Sequence, residues 1–215
     1  MGISIPQLVT RWILAGAATA ACALHAEAQS SVSTNPNMAP AGRYKVWPNH
    51  TQVIFSIMHM GISPYYGRFS QAAGTLEFNP QAPEKSTVNV TIQTASINVP
   101  LDPLIKELCS ASTFDCAQFP TATFKSTSVR RTGANTGDIT GDLTIHGVTK
   151  PVTLHAVFNG GTKRMDIDAY MLGFSAAASI KRSDFGLTKM SWASFAADDV
   201  MLMIEAEFAE DKEAR

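Results

Sequence analysis

The sequence carries little charge and has no long apolar run. Asp, Glu, Lys and Arg make up 16% of its 215 residues, and the formal net charge is −1, whereas soluble proteins usually carry about 25% charged residues. A nucleic-acid-binding protein shows a clustered basic face, and the sequence has none. The apolar run "WILAGAATAACAL" at residues 12–24 is too short to cross a bilayer as a stable helix.

Sequence motifs of catalysis are also missing. The sequence has no G-x-S-x-G elbow, no H-E-x-x-H, no phosphate-binding loop and no dinucleotide fingerprint. Asp138, Asp142 and Asp184 fall at predicted turns, where Asp is favoured for backbone reasons. The spacing of the histidines does not form a local metal site. We therefore expect a protein that is not an enzyme and that has no cofactor or metal; an enzyme assembled from scattered residues is the alternative.

The sequence has only three cysteines. Cys109 and Cys116 are not at the C-x-x-C spacing of a redox motif or a zinc knuckle. Two reduced thiols, a metal pair or a disulfide would each account for them. Because export signals precede them, we expect a structural disulfide.

The N-terminal 28 residues have the organisation of a secretory signal. Arg11 precedes the apolar run, and an A-x-A site ends at Ala28. Lipoprotein processing at Cys22 is the alternative, although Thr19 stands where such signals carry a large aliphatic residue. We predict a signal peptide at 1–28, a disordered leader at 29–42, a folded domain at 43–210 and a charged tail at 211–215.

Apolar and polar residues alternate through most of the remaining chain. Eight or nine segments show this period of two, and Gly, Pro, Asn or Asp separate them, which predicts an all-β antiparallel barrel or sandwich. Residues 101–108 instead show helical spacing, so a short helical crossing segment is expected. The segment "GFSAAASIK" has only small side chains on either face between Phe174 and Ile180. Either large neighbours fill the space beside it or a ligand does.

Four blocks resemble the signature of a known family. "FSIMHMGISPYYGRFSQAAGTLEF", "FPTATFKST", "GDLTIHGVTKPVTL" and "IKRSDFGL" occur in this order and are similar to the YceI-like family of exported polyisoprenoid-binding proteins, from about Tyr44 to Phe208. The resemblance implies a lipocalin-like β-barrel of about eight strands with an apolar channel for a long isoprenoid chain, either a quinone tail or a polyprenyl lipid. It also implies a periplasmic location, a homodimer and transient membrane contact, with a role in transport, storage or stress response. A filled barrel that acts through an envelope partner is the alternative.

The sequence departs from the family at one motif. Many relatives carry Arg-Asp-x-His-Leu before the helical turn, where this chain has "LIKEL" at 104–108. Head-group recognition therefore does not transfer by resemblance. We select ligand-binding candidates that lie on the predicted inner face of a strand, are aromatic, or fall in a block that resembles the family. They are Phe55, Ile57, His59, Phe69, Leu76, Phe114, Phe119, Phe124, Leu143, Ile145, Phe174, Ala176, Ala178, Ile180 and Phe185.

For several polar residues, the sequence is compatible with a structural role as well as with ligand binding. His59 shares the inward parity of Phe55, so it either bonds a buried polar group or contacts a ligand. His146 is expected to brace a hairpin. Arg182 and Asp184 either form a local ion pair at a strand end or contact a head group.

Overall fold

The structure, a computed structural model, describes residues 32–214. It contains eleven strands and one α-helix, together with short 3₁₀ turns. The strands are β1 (Gly42–Val46), β2 (Gln52–His59), β3 (Ser63–Phe69), β4 (Ala72–Phe78), β5 (Thr87–Gln93), β6 (Ile97–Asn98), β7 (Thr121–Arg131), β8 (Thr136–Ile145), β9 (Val148–Arg164), β10 (Ala169–Lys181) and β11 (Ala196–Glu210), and the helix is α1 (Asp102–Leu108).

Eight of the strands form a closed antiparallel barrel. Their order is β1-β4-β5-β7-β8-β9-β10-β11, and β11 pairs back with β1 through Phe208 and Val46. The first part of β11 pairs instead with β2, which continues into β3 and β6 as an extension of the sheet. This confirms the predicted all-β, antiparallel barrel with a short helical crossing segment.

Side-chain alternation on β10 and β11 separates the inside of the barrel from the outside. Ala176 lies opposite Ile204, and both side chains point inward. One position earlier, Ser175 lies opposite Glu205 on the outer face and donates a hydrogen bond of 2.5 Å to its carboxylate. The period of two in the sequence therefore gives the correct inner face on both strands.

The tight connection between β8 and β9 explains the break in their alternating pattern. His146 has φ = 51° and Gly147 has φ = 74°, the left-handed pair that two-residue hairpin turns require. The His146 ring also lies edge-on to Phe119, with ring centroids 4.6 Å apart. His146 thus stands in the hairpin turn, as the sequence led us to expect.

One end of the barrel is covered by α1 and the loop after it. The structure joins Cys109 and Cys116 in a disulfide, with their Cα atoms 5.0 Å apart. Phe114, inside that loop, packs against two apolar clusters, one around Val99 and the other around Phe185. We call this the closed end.

The N-terminal segment corrects one expectation. The sequence predicts a disordered leader at 29–42, yet in its described part Ser33 forms two backbone hydrogen bonds with Gly161 of 3.0 and 2.9 Å. Ala39 is buried, and Pro40 accepts a hydrogen bond from the Tyr44 hydroxyl. A Pro-rich polar segment can be ordered without a core of its own when the barrel supplies its hydrogen-bond partners. The predicted signal peptide, Cys22 and the cleavage near Ala28 lie outside the described residues.

The charged tail begins against the barrel. Asp211 is 8% exposed and lies 3.0 Å from Lys45 Nζ and 3.4 Å from Arg43 Nε. These ion pairs tie the chain end to β1.

Candidate ligand channel

An apolar cavity lies inside the barrel. Its volume is about 150 Å³, and no charged residue among residues 32–214 lines it. It is lined by Val46, Thr51, Val53, Leu76, Val88, Val90, Ile92, Ala122, Thr123, Phe124, Ile139, Leu143, Leu154, Ala156, Phe174, Ala176, Leu202, Ile204, Ala206 and Phe208. We call this space the inner cavity. Small residues such as Ala176 and Ala206 leave it open, because side chains this short do not reach across the barrel.

A second cavity of about 100 Å³ lies at the other end from the disulfide loop. Five of its residues also line the inner cavity: Leu76, Val88, Ile139, Ala156 and Phe174. Its lining also includes Pro36 and Pro80 and the polar or charged residues Arg130, Arg131 and Asn135. We call it the mouth cavity. The shared lining makes the two cavities one interrupted channel.

Phe174 stands between the two cavities. Its ring centroid lies 5.3 Å from that of Phe158, 5.9 Å from Phe208 and 6.1 Å from Phe78. An apolar cavity of about 150 Å³ holds a molecule the size of benzene. A long chain therefore needs more room than the inner cavity alone provides.

The structure places only part of the sequence-predicted set around this channel. Leu76, Phe124, Leu143, Phe174 and Ala176 line the inner cavity. The remaining aromatic and aliphatic candidates that pack into the two clusters of the closed end are Phe55, Phe69, Phe114, Ile145, Ile180 and Phe185. Ala178 is buried without lining either cavity, and Phe119 packs against His146.

The prediction that His59 points into the barrel is wrong. His59 is exposed and pairs with Ala196 and Ser63 at the end of β2. Val53, near the start of β2, lines the inner cavity. The later residues of β2 lie in the sheet extension between β11 and β3, so those with the same parity as Val53 do not face the channel. Ile57, on the same part of β2, also lies outside both linings.

A local ion pair between Arg182 and Asp184, one of the two roles considered for them, is not formed. The Arg182 guanidinium instead donates to four carbonyl oxygens, those of Leu187, Ala193, Ala196 and Ala197, at 2.7 to 3.2 Å. These contacts hold the loop that precedes β11. Arg182 is thus a structural residue of the closed end.

The rim residues of the mouth cavity escaped the sequence analysis. A β-bulge between Ser126 and Ser128 shifts the alternation on β7 by one residue. Val129 and Arg131, rather than Arg130, therefore share the inward face with Phe124. A register shift of this kind leaves no mark in an apolar–polar pattern.

Comparison with known proteins decides the family. The family model described as the YceI-like domain matches residues 44–208. The chain belongs to the YceI-like family.

Members of the YceI-like family match over most of this chain. The protein YceI of Salmonella arizonae is 40% identical over 182 residues, which are 81% of this chain and 90% of that protein. The crystal structure of the Campylobacter jejuni YceI protein is 33% identical, covers 72% of this chain and 90% of its own, and superposes with a TM-score of 0.64. A structure from Saccharophagus degradans, described as a polyisoprenoid-binding domain implicated in plant cell wall breakdown, shares the fold at a TM-score of 0.60 and 15% identity, over 80% of this chain and all of that one (100%).

Within residues 32–214, the YceI-like chain contains no cluster of three His, Cys, Asp or Glu residues arranged to hold a metal ion. In the same range, the helices are all too short or too polar to cross a membrane. His155, one of the histidines considered in the sequence, lies on the outer face with its Nδ1 2.8 Å from Asp138 Oδ1.

Proposed function

We propose that the protein binds a long apolar isoprenoid chain inside its barrel. The observation that carries this proposal is the inner cavity, whose described lining is apolar apart from two threonines. Burial of apolar surface stabilises a complex by about 25 cal/mol per Å², so a prenyl chain needs few polar contacts to bind tightly. The shared fold with the domain described as polyisoprenoid-binding supports the same assignment.

We also propose that the protein acts after export, in the periplasm, as a carrier or store of this lipid. The organisation of residues 1–28 as a secretory signal supports export. Binding rather than catalysis is favoured because no acid, base or nucleophile among the described residues lines the inner cavity.

The β2–β3 hairpin supports the expected transient contact with a membrane. Its tip exposes Met60 at 57% and Ile62 at 78%, and residues 51–67 contain no Asp, Glu, Lys or Arg. A long isoprenoid is held in membranes, so a protein that collects it must approach their surface. If the hairpin is instead the face of a homodimer, light scattering will give twice the mass of one chain, and vesicles will not retain the protein.

Lipid transfer from vesicles tests the proposed function. Purified mature protein is incubated with phosphatidylcholine vesicles that contain a trace of ubiquinone or a polyprenol, and the vesicles are then floated away. We expect the isoprenoid, but little phospholipid, to remain with the protein. Protein that retains neither isoprenoid after incubation would contradict the proposal and favour a filled barrel that acts through a partner.

A further inference from the structure

We propose that the mouth cavity selects an isoprenoid with a phosphate or diphosphate head group and that Arg131 binds that group. This inference rests on the proposed function and adds the chemical class of the ligand. It chooses between the two classes that the sequence left open, a quinone and a polyprenyl phosphate.

The position of Arg131 follows from the register of β7 and β8. Past the bulge, Val129 lies opposite Ile139 and Arg131 lies opposite Gly137. All four residues line the mouth cavity. Gly137 lets β7 and β8 approach closely here, because a Cβ at this position would lie 3.1 Å from the carbonyl oxygen of Arg130.

The guanidinium of Arg131 is held in place by neutral acceptors. Its Nη2 donates to the carbonyl oxygen of Pro80 at 3.2 Å and to Oδ1 of Asn37 at 3.3 Å. Neither acceptor carries a full negative charge. Within residues 32–214, no carboxylate lies within ion-pair distance of Arg131.

Arg130, the residue before Arg131, shows the contrasting arrangement. It also belongs to the lining of the mouth cavity, but its guanidinium forms an ion pair with Asp138, which lies opposite it on β8. Its charge is therefore neutralised on the protein itself. The two neighbouring arginines differ in the one property that matters here, which is whether an anion already accompanies the charge.

The charged residues in the described lining of the channel are all positive. Arg130 and Arg131 are its charged members, and no Asp or Glu belongs to the described lining of either cavity. The nearby turn Pro83–Lys85 carries one acidic residue, Glu84, and one basic residue, Lys85. An apolar tail in the inner cavity thus places its head group beside one positive charge that lacks a counter-charge.

Phosphate chemistry fits this rim better than quinone chemistry. A guanidinium forms two parallel charge-assisted hydrogen bonds with phosphate oxygens, which are roughly twice as strong as bonds between neutral groups. A quinone carbonyl accepts a hydrogen bond but brings no negative charge. The expected preference for the charged head group is about tenfold in affinity.

Calorimetric titration with three probes tests the inference. The probes are farnesyl diphosphate, farnesol and inorganic pyrophosphate, added to the purified mature protein and to the variants Arg131→Gln and Arg130→Gln. We expect the unmodified protein to bind farnesyl diphosphate about tenfold more tightly than farnesol. The R131Q variant should bind both farnesyl probes alike, and R130Q should keep the preference.

The other outcomes separate the two proposals. If R131Q keeps the preference, or if R130Q loses it equally, Arg131 does not bind the head group. If pyrophosphate binds as tightly as farnesyl diphosphate, the rim is a site for free anions and the inference fails. If neither farnesyl probe binds the unmodified protein, the proposed function itself fails. Unchanged thermal unfolding of both variants confirms that they are folded.

Discussion

Replacing Ala176 with Phe should block the inner cavity without unfolding the barrel. Ala176 lines this cavity, between the inward residues Ala156 on β9 and Ile204 on β11. The added phenyl ring points into a space of about 150 Å³, so it displaces ligand rather than neighbouring side chains. Overpacking, which usually costs about 1–3 kcal/mol, should therefore be small here.

The expected loss of affinity follows from the volume that the ring occupies. A phenyl ring takes about the space of one isoprene unit, or about five carbon atoms, and each buried carbon contributes about 0.8 kcal/mol. Loss of that contact weakens binding by up to about 4 kcal/mol, which is about three orders of magnitude in the dissociation constant.

Ala177 provides the matched control. It lies one residue further along β10, faces outward and is paired with His155 and Met203. We expect A177F to take up isoprenoid from vesicles as the unmodified protein does and A176F to take up almost none. Equal uptake by a folded A176F, or an equal loss in A177F, would refute the assignment of this wall to the channel. Ala178 is only 5% exposed and lines neither cavity, so A178F should destabilise the barrel instead.

Three further predictions concern stability. Replacing both Cys109 and Cys116 with Ser should lower the free energy of unfolding by about 2–3 kcal/mol, because the disulfide closes a short loop in the unfolded chain; a urea midpoint that does not move would contradict this. Hydrogen bonds from Lys212 and Lys163 lower the pKa of Asp168 to about 2, below its value of about 3.9 in an unfolded chain. A lowered pKa stabilises the fold above about pH 4 and loses that contribution as the pH falls toward 2, so D168N should have a shallower loss of thermal stability across this window than the unmodified protein. Identical melting profiles would count against that ion-pair geometry. The R182K variant should lose about 3 kcal/mol, since an ammonium group cannot reach the four carbonyl oxygens that the guanidinium contacts, and unchanged chemical denaturation would show that these bonds contribute little.

Alternation along the sequence predicted the barrel and much of its inner wall. Strand pairing is regular around Leu143 on β8 and Ala176 on β10, so a period of two identified both as inward residues. The same logic failed where the backbone is irregular. The bulge on β7 turned Arg131 inward, which residue types alone do not indicate.

Two other features depend on tertiary partners that the sequence does not display. β2 lies in the sheet extension, between β11 and β3, so His59 is exposed despite its parity. Residues 32–42 resemble a disordered leader in composition, but Gly161 supplies backbone partners for Ser33. The local sequence pattern indicates which residues share one face of a strand. The neighbouring strands determine whether that face contacts the channel or solvent.

The most direct test of the central claim is native mass spectrometry of the mature protein, purified without detergent after export. We predict a complex with about one lipid per chain, and solvent extraction should release species whose masses differ by whole isoprene units. A mass equal to that of the protein alone, from a preparation that also fails to take up isoprenoid from vesicles, would contradict the account of this barrel as a lipid-binding channel.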